Sequence, residues 1–245
     1  MESRWQTPTA RQDAREADHL VPVEHFTLYE QVYEKLRLAI MEGAFAAGET
    51  LTIRSLAQRL GTSVMPVREA LRRLSTEGAL TMLPNRSIRV PPLDVARIAE
   101  VYALRSLLEG EAAALAAATI TDEELARVKH HHRDFIAGVK AGSASKILRA
   151  GQDLHFTIYE AARSPTMLAF IGMLWLQTGP WLAEPLRRTF SKRTVQTFAE
   201  AIGARHGEII DALQARDAQR AARAVRAEMR DLAEHLRATI GEAHR

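Results

Sequence analysis

Apolar positions in the first part of the chain fall at helical spacing in three short runs. Val32, Leu36, Ala39 and Ile40 share one face across Leu28 to Met41, and Glu42-Gly43 stops the run. Leu56, Ala57 and Leu60 make a second face; Val67, Ala70, Leu71 and Leu74 make a third at i, i+3, i+4 and i+7. Two apolar faces so close in sequence must meet. Between them Gly61 can take the left-handed conformation that ends a helix, Ser63 can cap the next one, and Pro66 sits in a first turn where its missing N–H is not needed. The spacing predicts a helix-turn-helix. After a stop at Glu77-Gly78, residues 79–83 and 88–90 read as two short strands around the polar turn Pro84-Asn85-Arg86-Ser87. Such a hairpin beside a helix-turn-helix is a wing.

From Pro91-Pro92 onward every segment has helical period, so the double proline marks a boundary. Helices are predicted at about 94–119, 122–141, 145–163, 165–179, 192–216 and 217–242. Thr121-Asp122-Glu123-Glu124 reads as a capping-box start, Ser164-Pro165 as an N-cap with a first-turn proline, and Ala141-Gly142 as a helix end. Alanine-rich stretches at 111–118 and 221–227 let helices pack closely. The predicted fold class is mainly α: an N-terminal winged helix-turn-helix, then an all-α antiparallel bundle of about six helices. Residues 1–22 mix polar residues without period and read as a mobile arm, 23–92 as the winged helix, and 93–245 as the bundle.

The second helix of the motif turns Met65, Arg68, Glu69, Arg72, Arg73 and Thr76 away from its apolar face. These long side chains can reach phosphates or base edges in a major groove, with Ser63 at the helix start. Arg86 and Asn85 at the wing tip would lie against the backbone or minor groove of the same duplex. The competing reading of that face is a solvated amphipathic helix, since arginine is also a good helix former.

Composition narrows the picture. The 245 residues are 47% hydrophobic, enough for two cores. There is no cysteine, which removes disulfides, zinc ribbons and thiol catalysis and suits a reducing compartment. The net charge is only +3, so DNA affinity has to come from a local cluster, Arg54, Arg59, Arg68, Arg72, Arg73, Arg86 and Arg89. No apolar run approaches the roughly 18 residues of a membrane helix, and the polar start has no hydrophobic signal region. A soluble, cytoplasmic protein without a membrane partner is expected.

The pattern from Tyr29 through Gly43-x-x-x-x-Gly48 to Pro66-Val67-Arg68-Glu69-Ala70-Leu71-Arg72-Arg73-Leu74 and Glu77-Gly78 resembles the GntR family of bacterial transcription regulators. The resemblance implies that Arg54, Arg68, Arg72 and the wing contact DNA. Val64 and Met65 stand where many members carry a polar or basic pair. The later region resembles the effector domain of the FadR subgroup through Tyr102-Ala103-Leu104-Arg105-x-x-Leu108-Glu109, the run His155-Phe156-Thr157-Ile158-Tyr159-Glu160-Ala161-Ala162-x-Ser164-Pro165, and His206-x-x-Ile209-Ile210. Many members of that subgroup hold a divalent metal there beside a pocket for a small organic acid. Carried over, His155 and His206 match two ligand positions and Glu228 stands where the last histidine would be. The first ligand position, one helical turn before His155, is occupied by Gly151, and Asp153 points to another side. Two histidines and a glutamate can hold zinc or, with solvent, manganese or nickel. The alternative is a pair of core histidines hydrogen-bonded to each other, to water or to Glu228.

Arg105 sits on an apolar face with Val101, Leu104 and Leu108, where a buried guanidinium wants an anion: either a carboxylate ligand or Glu109 four residues on. Trp175, Gln177, Thr178 and Trp181 can line the same cavity. The expected effector-binding set is Arg105, Glu109, His155, Tyr159, Trp175, Thr178 and His206. The run His130-His131-His132 sends its rings in different directions and is expected to be solvated. These features predict a repressor that binds a two-fold symmetric operator as a homodimer and is modulated by an organic acid. Two rivals remain: a helical metalloenzyme built on His155, His206 and Glu228, and a constitutive DNA-binding protein. No Gly-rich phosphate loop, Gly-x-Ser-x-Gly or His-Glu-x-x-His motif supports an enzyme.

Overall fold

The computed structural model describes residues 28–84, 87–187 and 192–243. The predicted arm and the wing-tip residues Asn85 and Arg86 lie outside the described residues. In chain order the elements are α1 (Leu28–Met41), β1 (Thr50–Thr52), α2 (Ile53–Leu60), α3 (Val64–Thr76), β2 (Thr81–Met82), β3 (Ser87–Arg89), α4 (Val95–Thr119), α5 (Asp122–Ala141), α6 (Ala144–Ala161), α7 (Pro165–Arg187), α8 (Lys192–Gln214) and α9 (Ala218–Ala243).

The predicted apolar faces meet. Val67, Ala70, Leu71 and Leu74 of α3 are buried with Val32, Leu36 and Ile40 of α1 and with Leu56 and Ala57 of α2. Gly61 ends α2 at φ +64, and its N–H caps carbonyls of the last turn. Ser63 has the extended backbone of an N-cap but makes no side-chain cap bond, so the predicted hydroxyl cap is not formed. The two wing strands are present, and a strand that periodicity did not reveal joins them. β1 pairs antiparallel with β3, Leu51 opposite Ile88, giving the order β1-β3-β2. Three residues are too few for alternation to stand out in a sequence.

In the bundle, α4 lies along α9 and α5 along α6, with α8 against α5 and α9. Ala112, Ala113, Ala116 and Ala117 of α4 and Ala221 and Ala224 of α9 are buried, so small side chains set the close approach. Asp94 caps α4 through Ala96 N–H. Thr121 and Glu124 form a reciprocal capping box at α5, which Gly142 closes at φ +61. The one large departure among the helices is α7, predicted over about 165–179, which runs on to Arg187. Burial of Trp181 and Ala183 outweighs the N–H that Pro180 lacks. Gly179 is needed there for another reason. A Cβ on it would lie 2.7 Å from Met41 Cα and closer still to the carbonyl of Ile40. Backbone therefore meets backbone where α7 crosses the end of α1.

Candidate functional site

The surface of α3 carries its predicted side chains unequally. Met65 and Arg72 are exposed and Arg68 and Glu69 half-exposed, while Arg54 stands exposed at the start of α2 and Ser63 between the two helices. Arg72 reaches Glu69 at 3.1 Å in a surface pair that phosphates can displace. Arg73 is placed differently. Its guanidinium lies 3.8 Å over the Tyr33 ring and donates to Glu77 at 3.0 Å, and Tyr33 donates to the same carboxylate at 2.8 Å. That arginine fastens α3 to α1.

Within the bundle, α4, α6, α7, α8 and α9 converge on a buried polar chain. Arg105 and Glu109 stand one turn apart on α4 and pair at 2.6 Å, and Arg105 also donates to Thr178 Oγ1 at 3.1 Å. Of the two partners open to Arg105, it therefore has Glu109. Glu109 accepts further bonds from Trp175 Nε1 at 3.1 Å and Tyr159 Oη at 2.5 Å. Tyr159 Oη lies 2.9 Å from His155 Nδ1, and His155 Nε2 lies 3.0 Å from Glu228 Oε1. His206 Nε2 approaches the same oxygen at 3.3 Å. Each of these residues is buried.

Their protonation follows from these contacts. Burial pulls the Arg105 guanidinium down, but Glu109 more than offsets it, and the group stays charged. Burial and then the adjacent Glu109 push the Tyr159 phenol well up, so it keeps its proton. Burial pushes His206 down against the pull of Glu228, leaving it neutral near pH 7. Burial would raise the Glu228 carboxyl, yet His155 and then His206 hold it far below the usual carboxylate range.

One oxygen and two nitrogens thus face a common point. His155, His206 and Glu228 each offer a ligand atom, all within 4.8 Å of one another. Two ligands at metal bonds of about 2.1 Å, set between octahedral and tetrahedral angles, stand about 3.0–3.4 Å apart. The two separations from Glu228 Oε1, 3.0 and 3.3 Å, fall in that range and are equally hydrogen-bond distances. Among the described residues nothing hydrogen-bonds to Glu228 Oε2, a buried carboxylate oxygen that a cation would satisfy. Gly151 lies one turn before His155 and lines the same cavity. A Cβ there would meet only the Phe135 ring, at 3.7 Å, so a coordination position is left open to a ligand. Asp153 is exposed and takes no part.

The cavity above this floor measures about 70 Å³ and is walled by Met41, Leu148, Leu182, Phe198, Ile202 and Leu232. Thr178 and Tyr159 support the floor from behind, whereas Gln177 faces away, accepting from Arg97 at 2.6 Å and lying against Gly78. Trp181 is core. The histidine run is not uniformly solvated. His130 is exposed, but His132 is half-buried with its ring 5.9 Å from that of His206. That was legible, because His132 continues the face of Val128, Phe135 and Val139. Met41 carried no such signal, since helical period cannot tell which neighbour a helix end will meet.

A winged helix docked on a helical bundle with a buried polar cavity is the architecture of a DNA-binding domain joined to a helical partner domain. The comparisons with known proteins agree. The model for bacterial regulatory proteins of the gntR family matches residues 28–90, and the FCD domain model matches residues 100–237. The HTH-type transcriptional regulator McbR of Escherichia coli is 31% identical over 160 residues, 65% of this chain and 72% of that protein. A probable D-xylose utilization operon transcriptional repressor of Paenarthrobacter nicotinovorans is 28% identical over 207 residues, 81% of this chain and 84% of its own length. The solved structure of E. coli McbR/YncC superposes with a TM-score of 0.80 at 26% identity, covering 88% of this chain and all of that one. The chain belongs to the gntR family, in the group whose winged helix is followed by an FCD domain. It is a transcription regulator and not an enzyme. No described helix is long and apolar enough to cross a membrane.

Proposed function

We propose that this regulator is a cytoplasmic repressor that binds a two-fold symmetric operator as a homodimer. Its DNA affinity is set by a small organic acid held over a divalent metal at His155, His206 and Glu228. The observation that carries the reading is the buried cradle, with two histidine nitrogens and a carboxylate converging beneath a cavity and an unpartnered carboxylate oxygen at its floor. Zinc, manganese and nickel all accept such a donor set. The acid's carboxylate would take a position left open by Gly151, with Trp175 beside it and Arg105, Glu109, Tyr159 and Thr178 holding the floor in place.

The DNA contacts are Arg54, Ser63, Met65, Arg68, Glu69 and Arg72, with Asn85 and Arg86 at the wing tip. Residues 23–92 would then be the DNA-binding unit and 93–245 the effector and dimer unit, with 1–22 as an arm. Leu104, Leu107 and Leu115 are 45%, 60% and 40% exposed on α4, an apolar row suited to a second copy of the chain.

The test is fluorescence anisotropy on DNA from upstream of the protein's own gene, with and without Zn²⁺, Mn²⁺ or Ni²⁺ and a panel of organic acids. Operator affinity should shift with an acid only when metal is present, and His155→Ala should abolish metal binding in calorimetry. DNA binding that no acid or metal alters would leave a constitutive regulator.

A further inference from the structure

Met41 is the last residue of α1 and belongs to the winged helix, yet its side chain forms one wall of the cavity in the bundle. The other apolar walls, Leu148 of α6, Leu182 of α7, and Phe198 and Ile202 of α8, come from the bundle itself. At about 70 Å³ the cavity is less than half the roughly 150 Å³ that admits benzene. It takes a metal ion and a carboxylate head; the cavity is open on one side, so the body of an acid longer than about two or three carbons lies along its walls, Met41 among them. Those walls are apolar, with one unpartnered carbonyl oxygen from Gln152 among them. That oxygen can accept from one ligand hydroxyl, but further hydroxyls facing these walls would be buried without partners, which costs affinity.

The wall that comes from the winged helix is Met41, whose thioether chain is unbranched and can follow the shape of a ligand. Its backbone has no slack. Gly179 leaves room for no Cβ against Met41 Cα, and a Cβ on Gly43 would collide with Ala183 on the next turn of α7. A ligand packed against Met41 therefore bears on the end of α1, and α1 shares its core with α3 through Leu36, Ile40, Val67 and Leu71.

We propose that the winged helix itself supplies a wall of the effector cavity through Met41. The effector is a monocarboxylic acid whose apolar body is long enough to reach Met41, and its packing against that side chain biases the position of α1 and with it the DNA-reading helix. This rests on the reading of the cavity as the effector site.

The experiment uses the full chain loaded with Mn²⁺ and a series of acetate, butanoate, hexanoate and octanoate, with citrate and gluconate for comparison. Calorimetry reads acid binding, and anisotropy on upstream DNA reads the operator Kd. Affinity should rise by about fourfold per methylene. Acetate should bind without changing the operator Kd, and hexanoate should change it by about tenfold or more. In Met41→Ala calorimetry should still show hexanoate bound, while its effect on the operator Kd falls below about twofold. Met41→Leu, which conserves volume, should keep the effect. If Met41→Ala fails to fold, Met41→Val removes less volume and gives the same comparison. Two results overturn the inference while leaving the effector reading intact: tighter binding of citrate or gluconate than of hexanoate, or an undiminished effect of hexanoate in Met41→Ala or Met41→Val. If no acid in either series binds, the effector reading fails and this inference fails with it.

Discussion

Tyr159 decides which nitrogen of His155 can serve as a ligand. Its single proton goes to Glu109 at 2.5 Å, so its oxygen can only accept from His155, and Nδ1 carries the ring's proton. That leaves Nε2 facing Glu228. Without a cation, Nε2 would need a second proton to meet a carboxylate; with a metal there, a neutral ring satisfies every contact. Tyr159→Phe should therefore weaken metal binding by about 10- to 100-fold in a Zn²⁺ or Mn²⁺ titration. An unchanged affinity would mean that the phenol does not orient the ring. Arg105 matters through Glu109. In Arg105→Ala that carboxylate stays buried with only Tyr159 and Trp175 as donors, and urea unfolding should show a loss of about 3 kcal/mol or more. Arg105→Ala with Glu109→Leu should recover much of that loss, because no buried charge then lacks its partner. Some of this was written in the sequence and some was not. The spacing of Arg105 and Glu109 showed a possible pair, and the FadR-like runs picked out His155 and His206. That one glutamate gathers an arginine, a tyrosine and a tryptophan from three helices depends on rotational register, which one-dimensional spacing does not encode.

Helix ends were readable where side-chain chemistry makes them. The predicted bounds of α5 match the structure because Thr121 and Glu124 at one end and Gly142 at the other are local devices. The end of α7 was set too early because the burial that carries it on through Trp181 and Ala183 is tertiary, and β1 was missed because only its pairing to β3 defines it. The α5 cap also gives a pH test. The Thr121 backbone N–H, against a smaller opposing effect of burial and aided by Arg163, holds the Glu124 carboxyl below its ordinary value. A carboxyl lowered on folding adds stability that is full above the unfolded pKa and fades as pH falls through the folded one. The melting-temperature advantage of the native protein over Glu124→Gln should be complete above about pH 5 and shrink steadily below about pH 4. An advantage that grows in acid would mean the wrong sign and a different partner. Thr121→Ala, which removes the hydroxyl acceptor of the same box, should cost about 1 kcal/mol in urea unfolding.

At the scale of the whole molecule, α3 packs into its domain and also turns arginines outward, and the structure places two neighbouring arginines differently. Arg72 projects outward with only Glu69 beside it, whereas Arg73 is stacked on Tyr33 and bound to Glu77. A groove lined by Arg37, Glu160 and Met173 adjoins that knot, where α1 and α3 face α6 and α7. Phosphate contacts release counterions, so each one lost lowers the slope of log Kd against log salt by about 0.9, and by about 1.8 for a substitution present in both copies of a dimer. Arg72→Ala should flatten the slope by that amount and leave the melting temperature close to native. Arg73→Ala should do the reverse, keeping the slope while lowering the melting temperature, because the cation it removes is engaged with α1. Anisotropy titrations across a salt series, with thermal melts of the same preparations, separate the two. If Arg73→Ala flattens the slope as much as Arg72→Ala does, then Arg73 leaves Tyr33 and Glu77 when DNA arrives. Operator binding would then loosen the contact between α3 and α1, and through α1 reach Met41 and the cavity from the DNA side.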